Sequence, residues 1–174
     1  MNEVIKAMLE RRSCRSYKPD MVPAEDIDAV IEAGLYAATG AGKQTPIVIA
    51  VTDKKVRDEL AKVNAQIGGW KEGFDPFYGA PVVLIVLAKK SFPTYVYDGS
   101  LMMGNMMLAA HSLGLGSCWI HRAKEEFEMD AYKKLLADLG VDEEVEGIGH
   151  CILGYADGEL PKAAERAPGR VYRV

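Results

Sequence analysis

From Ser100 to Leu113 the chain reads Ser-Leu-Met-Met-Gly-Asn-Met-Met-Leu-Ala-Ala-His-Ser-Leu, apolar on almost every side of a helix. A helix without a polar face belongs in an interior, so the fold must cover this segment from several directions. Its four methionines, at 102, 103, 106 and 107, are flexible and polarisable. Such side chains suit packing between irregular surfaces, either at the centre of one core or between two subunits. With 174 residues, 49% of them hydrophobic and 26% charged, the chain is sized for a single domain, 1–174.

Periodicity supplies the elements around that helix. Ile5, Met8 and Leu9 recur at helical spacing, as do Ile27, Val30, Ile31, Gly34 and Leu35 behind Pro23, so two helices flank a basic segment. Ile47–Thr52 and Pro81–Ala88 read as strands buried on both faces. Asp53 caps a short helix through Val63, and the stretch from Gly68 to Gly79 predicts a loop with exposed aromatics that could serve as a lid. After Gly114-Leu115-Gly116 comes a strand from Ser117 to Ile120, then a helix within Lys124–Leu139 and a strand within Val145–Gly154. The tail Arg170-Val171-Tyr172-Arg173-Val174 alternates as a strand does, and needs a sheet edge of its own chain or of a second one.

Several classes of function are excluded on charge and spacing. A net charge of -4 lacks the basic footprint of a nucleic-acid binder. Cys14, Cys118 and Cys151 are odd in number, far apart and without CxxC spacing, which speaks against disulfides or a zinc site and for a reducing cytoplasm. The opening Met-Asn-Glu-Val-Ile-Lys has no signal-peptide pattern, and no apolar run approaches the ~20 residues of a membrane span. The expectation is a soluble cytoplasmic protein with no membrane partner.

Thr39-Gly40-Ala41-Gly42-Lys43-Gln44 imitates a phosphate loop, yet Gln44 stands where Ser or Thr must reach magnesium, and the loop joins helix to strand. Gly114-Leu115-Gly116-Ser117 fails on the same order of elements. His111, His121 and His150 have no second metal ligand at suitable spacing and read as structural histidines. Against this background, Glu10-Arg11-Arg12-Ser13-Cys14-Arg15-Ser16-Tyr17 stands out, because three guanidinium groups and two serine hydroxyls in eight residues suit an anion. Cys14 among arginines offers thiol chemistry as a lesser alternative. Anion binders without acids, bases or nucleophiles suggest that the chemistry belongs to a bound cofactor.

The same residues, Arg11-Arg12-Ser13-Cys14-Arg15-Ser16-Tyr17, resemble the RRSxRxF/Y signature of the FMN-dependent nitroreductase family. Leu108-Ala109-Ala110-His111-Ser112-Leu113-Gly114-Leu115-Gly116-Ser117-Cys118-Trp119-Ile120 is similar to the family's LAAxxLGLGSCWI, and Ala37–Gln44 stands where its APSxxNxQPW loop falls. The resemblance implies an α+β, three-layer sandwich with a mixed sheet flanked by helices. It also implies an intertwined homodimer with exchanged C-terminal strands and FMN at the interface. Arg11 and Ser13 would hold the phosphate and ribityl region with Arg12 beside them, and Arg15 would lie near the pyrimidine side of the ring. Gln44, Ser117, Trp119 and Ile120 would line the flavin. His121 and Arg122 would offer backbone N–H groups towards N5, and Arg166, assisted by Arg170, would complete the phosphate site. NADH or NADPH would donate hydride to flavin N5, and a nitroaromatic, quinone or similar flat acceptor would then take the electrons in a ping-pong cycle. The alternatives are a non-catalytic flavin-binding protein, or a specialised dehydrogenase or dehalogenase of the same family. The chain departs from the family pattern at Gly42, which replaces an asparagine, and at Thr45-Pro46, which replaces Pro-Trp.

Overall fold

The computed structural model describes residues 1–174. The chain runs α1 (Glu3–Glu10), α2 (Ala24–Leu35), β1 (Pro46–Val51), α3 (Lys54–Gly68), β2 (Val82–Lys89), α4 (Tyr95–Ser112), β3 (Gly116–Ile120), α5 (Ala123–Phe127), α6 (Asp130–Asp138) and β4 (Val145–Gly154). The strands form one sheet in the order β1-β2-β4-β3, each pair antiparallel. The parallel component of the expected mixed sheet is confined to a single bridge, where Ser13 pairs with Ser117 along the outer side of β3.

Strand β2 reads as a continuous apolar run because both of its faces are covered, and alternation sorts its side chains between two cores. Val83, Ile85 and Leu87 pack with Leu60, Ala61, Phe127 and Leu136, which belong to α3, α5 and α6. Val82, Leu84 and Val86 pack with Ile27, Val30, Met102, Met103 and Met106 of α2 and α4. Helices, sheet and helices thus make the three expected layers.

Two expectations need correction. Strand β1 is not buried on both faces: it is a sheet edge, with Ile47, Val48 and Ile49 only half-covered. Helix α3 runs past Val63 to Gly68, with Asp53 accepting from the Val56 N–H at its start and the left-handed Gly69 ending it. Its later turn carries Asn64 inward, a polar residue whose partners are distant in sequence. The tail takes no strand within one chain, and residues 161–174 are all exposed.

Helix α4 is covered on one side only. Met102, Met103, Met106 and Ala110 are buried, whereas Tyr97 is 71% exposed and Leu101 51%, with Leu108 half-buried on the same strip. The nearby α1 has no buried residue at all, and Val4, Ile5, Met8 and Leu9 face outward. The apolar helix that had to be covered from all sides therefore presents its second side to the exterior of the single chain. No helix is long and apolar enough to cross a membrane.

Candidate flavin site

The arginine segment leaves α1 and is laid against the edge of the sheet. The Cys14 N–H donates to the Ser117 carbonyl at 2.9 Å, after which Tyr17 bridges to Ala156 and the Lys18 N–H donates to the Tyr155 carbonyl at 2.9 Å. The approach is close enough to require glycine on β3, since a Cβ on Gly116 would lie 2.8 Å from Cys14 Cβ. The glycines that imitate a nucleotide loop thus end a helix and admit a neighbouring backbone.

Along this edge the side chains divide their work. Arg12 Nη1 donates to the carbonyls of Leu9 and Arg11, both at 2.7 Å, and so closes the C-terminal end of α1. Arg11 is different: its Nη1 is buried and has no hydrogen-bond partner in the chain. A buried charged donor left unpaired is costly, so its presence points to an acceptor that arrives from outside. Ser13 and Arg15 line a hollow of about 190 Å³ closed by Ala156–Pro161. Arg15 also lines a second hollow of about 210 Å³, with Trp119, Ile120, His121 and Arg122 along one wall and Trp70, Phe74 and Tyr78 along another. No carboxylate lines this second hollow. Ser117 is buried, with its carbonyl committed to Cys14.

The other expected site residues lie elsewhere in the single chain. Gln44, with φ 50°, precedes β1 at the far edge of the sheet from β3. Three inter-strand steps amount to roughly 14 Å. Its loop is fixed by the buried carboxylate of Asp98, which accepts from the Gly40 N–H at 3.0 Å and the Thr45 hydroxyl at 2.9 Å. Arg166 donates to the Ala164 carbonyl and Arg170 is exposed, and neither is among the residues that line the two hollows.

Cys14 does not behave as an accessible nucleophile. It is 2% exposed and its thiol donates to the Ser16 carbonyl at 3.1 Å. Burial pushes the Tyr17 phenol well above its ordinary range, reinforced by Cys14 and Cys118. Burial likewise pushes the Cys151 thiol up to about 12; Cys118 adds to the shift and the Arg11 charge opposes it.

The loop read as a lid is anchored at its second half. Asp75 accepts from the N–H groups of Phe77 and Gly79 and pairs with Arg57 Nη2 at 2.6 Å, while Arg57 Nε donates to the Ala80 carbonyl at 2.9 Å. The Arg57 guanidinium also sits 5.4 Å from the Phe77 ring centre. Trp70, Phe74 and Tyr78 project from this arch with ring centres 5.0 and 6.0 Å apart in succession. The outer turn stays exposed while its base is fixed.

Behind the wall formed by β3 lies a polar cluster that sequence reasoning did not assemble. Glu126 and His150 are fully buried, with Glu126 Oε2 2.7 Å from His150 Nε2. The Asn64 amide donates to Glu126 Oε1 and to the His121 carbonyl, both at 2.8 Å, and His150 Nδ1 faces the Ile120 carbonyl at 3.3 Å. Both ring nitrogens of His150 thus face an oxygen atom. Reading His150 as a satisfied structural histidine agrees with its burial. Nothing in Lys124-Glu125-Glu126-Phe127 distinguishes Glu126 from its solvated neighbours.

These residues fit a phosphorylated flavin on two counts: the unpaired buried guanidinium of Arg11, and a carboxylate-free hollow with aromatic and cationic walls. Comparison with known proteins points the same way. The model of the nitroreductase family matches residues 8–155. A solved nitroreductase with bound FMN from Bacteroides fragilis is 30% identical, superposes with a TM-score of 0.87 and covers 100% of both chains. Another with bound FMN, from Desulfitobacterium hafniense, is 25% identical at a TM-score of 0.87, covering 99% of this chain and 98% of that one. An FMN reductase (NADPH) of Bacillus subtilis is 27% identical over 144 residues, which is 74% of this chain and 57% of that longer protein.

Proposed function

The chain belongs to the nitroreductase family, and from that premise we propose an FMN-dependent NAD(P)H oxidoreductase that reduces nitroaromatic, quinone or similar flat acceptors in a ping-pong cycle. The observation that carries the reading is the buried Arg11 Nη1 without a partner, in the same short segment as Ser13 and Arg15, which line a hollow. FMN, when bound, supplies the two-electron chemistry. Arg11 and Ser13 would hold its phosphate end. Arg15 would place positive charge by the ring, and Trp119, Ile120, His121 and Arg122 would form the wall on which the ring rests. Trp70, Phe74 and Tyr78 would exclude water and offer aromatic faces to whichever flat molecule enters.

On this reading the active unit is a homodimer. The strip of Tyr97, Leu101 and Leu108 on α4 and the outward-facing apolar side chains of α1 are suited to cover by a second copy. Gln44 would then serve the site of the neighbouring chain. The exposed alternating tail would cross over as a strand, bringing Arg166 and Arg170 to the partner's phosphate end.

The test is direct. The purified chain should bind FMN and show its visible absorption, NADH or NADPH should bleach it under anaerobic conditions, and a nitroaromatic or quinone should restore the colour. A protein that takes up no FMN overturns the reading. One that binds FMN but is not bleached by either nicotinamide supports a non-catalytic flavin binder instead.

A further inference from the structure

The cluster behind β3 is buried, reaching the second hollow only at Asn64, and it touches the two consecutive carbonyls at the end of that strand. His150 Nδ1 faces Ile120 O at 3.3 Å and the Asn64 amide donates to His121 O at 2.8 Å. In a planar trans peptide the C=O of one residue and the N–H of the next point in opposite directions. Drawing both carbonyls into the interior therefore turns the N–H groups of His121 and Arg122 outward, towards the hollow that these two residues line. Neither amide donates to any other group of the chain. The backbone at Arg122 is left-handed, φ 86°, uncommon for a residue with a side chain. Such a conformation persists where surrounding contacts fix it.

The cluster is itself fixed from three elements. Asn64 comes from α3, His150 from β4 and Glu126 from α5, which is held against β4 so closely that a Cβ on Gly147 would meet the Ala123 backbone at 2.2 Å. Glu126 occupies the centre, accepting from Asn64 with one oxygen and meeting His150 with the other. Both Glu126 oxygens, both His150 ring nitrogens and the Asn64 amide nitrogen are thereby partnered, which couples the three side chains into one unit.

We propose that Asn64, Glu126 and His150 are positioning residues of the flavin site, which hold the Ile120 and His121 carbonyls inward so that the His121 and Arg122 amides face the hollow in which the ring would sit. This role rests on the flavin reading above. It differs from the role of Arg11 in a measurable way: the ring is common to FMN and riboflavin, whereas the phosphate is not. Asn64→Leu, close in volume but unable to donate, releases the His121 carbonyl. The variant should bind FMN and riboflavin about three- to tenfold more weakly, by the same factor for both. In the flavin-free chain it should also shift the His121 and Arg122 amide resonances in a ¹H–¹⁵N spectrum. A merely structural role would lower the unfolding temperature and leave those two amides and both affinities unchanged, and that result overturns the proposal. Should Asn64→Leu fail to fold, riboflavin added to the ¹⁵N-labelled wild-type chain decides the matter, since His121 and Arg122 must be among the amides that move. Normal flavin binding with both amides silent sinks this role alone. A wild-type chain that binds no flavin sinks the proposed function and this role together.

Discussion

Arg11→Ala offers the sharpest test of the phosphate assignment, because the structure predicts opposite effects on the flavin-free and flavin-bound protein. In the free chain Arg11 Nη1 is buried without a partner, so truncation removes a group whose desolvation is not repaid. An unsatisfied buried donor costs about 1 to 3 kcal/mol, and relief of part of that cost should leave the unfolding temperature unchanged or raise it by a few degrees. With FMN present the same truncation removes hydrogen bonds to an anion, worth about 1.5 to 3 kcal/mol, or a ~10- to 150-fold loss of affinity. Riboflavin has no phosphate and should lose less than about twofold. Quenching of flavin fluorescence measures both affinities on the same preparation, and a thermal melt with and without FMN measures the stabilities. Equal losses for the two ligands would refute the phosphate role. So would a flavin-free variant that melts many degrees lower while keeping its FMN affinity, since Arg11 would then be a structural residue.

Other expectations address the frame around that group. Arg57→Met breaks the pair with Asp75, whose own side chain is one-third exposed, and should cost about 2 to 3 kcal/mol in denaturant unfolding. Cleavage by a protease in the 69–75 turn should rise in parallel. Leu101→Arg places a charge on the exposed strip of α4 and should shift the mass measured by light scattering from two chains to one; an unchanged mass speaks against that face. Cys151 gives a pH dependence. Its thiol ionises near 9 when unfolded and near 12 when folded, so between those values the unfolded chain binds fewer protons. Stability should therefore fall by about 1.4 kcal/mol per pH unit from Cys151 alone as pH rises through that window. Cys151→Ala should flatten this alkaline slope in urea titrations run at successive pH values.

How far the sequence disclosed the fold depended on whether the signal was local. Strand β2 was readable because an unbroken β-branched run bounded by Pro81 and Lys89 has few other solutions. Strand β1 carries a similar run, yet only the strand order shows it to be an edge, since composition does not say how many neighbours a strand has. Periodicity ends helix α3 at Val63, before the polar Asn64, because the acceptors of Asn64, Glu126 and the His121 carbonyl, are about sixty residues away in the chain. A separation of 24 residues and an intervening helix hid the Glu126–His150 pair in the same way. The arginine segment was legible because its chemistry is dense and contiguous, whereas the division of labour within it was not. Arg12 closing α1 and Arg11 left unpaired are consequences of side-chain direction, which follows from how the segment lies on β3.

The strand order sets one more property. With Gln44 at one edge of the sheet and Ser117–Ile120 at the other, a complete cavity on the two-chain reading exists only while the chains are associated. Cofactor binding and chain association are then linked by mass action. Each molecule of FMN captured would tighten the pair, and dilution would release both together. The specific activity of such a protein would depend on its own concentration, and excess cofactor would protect it at low copy number.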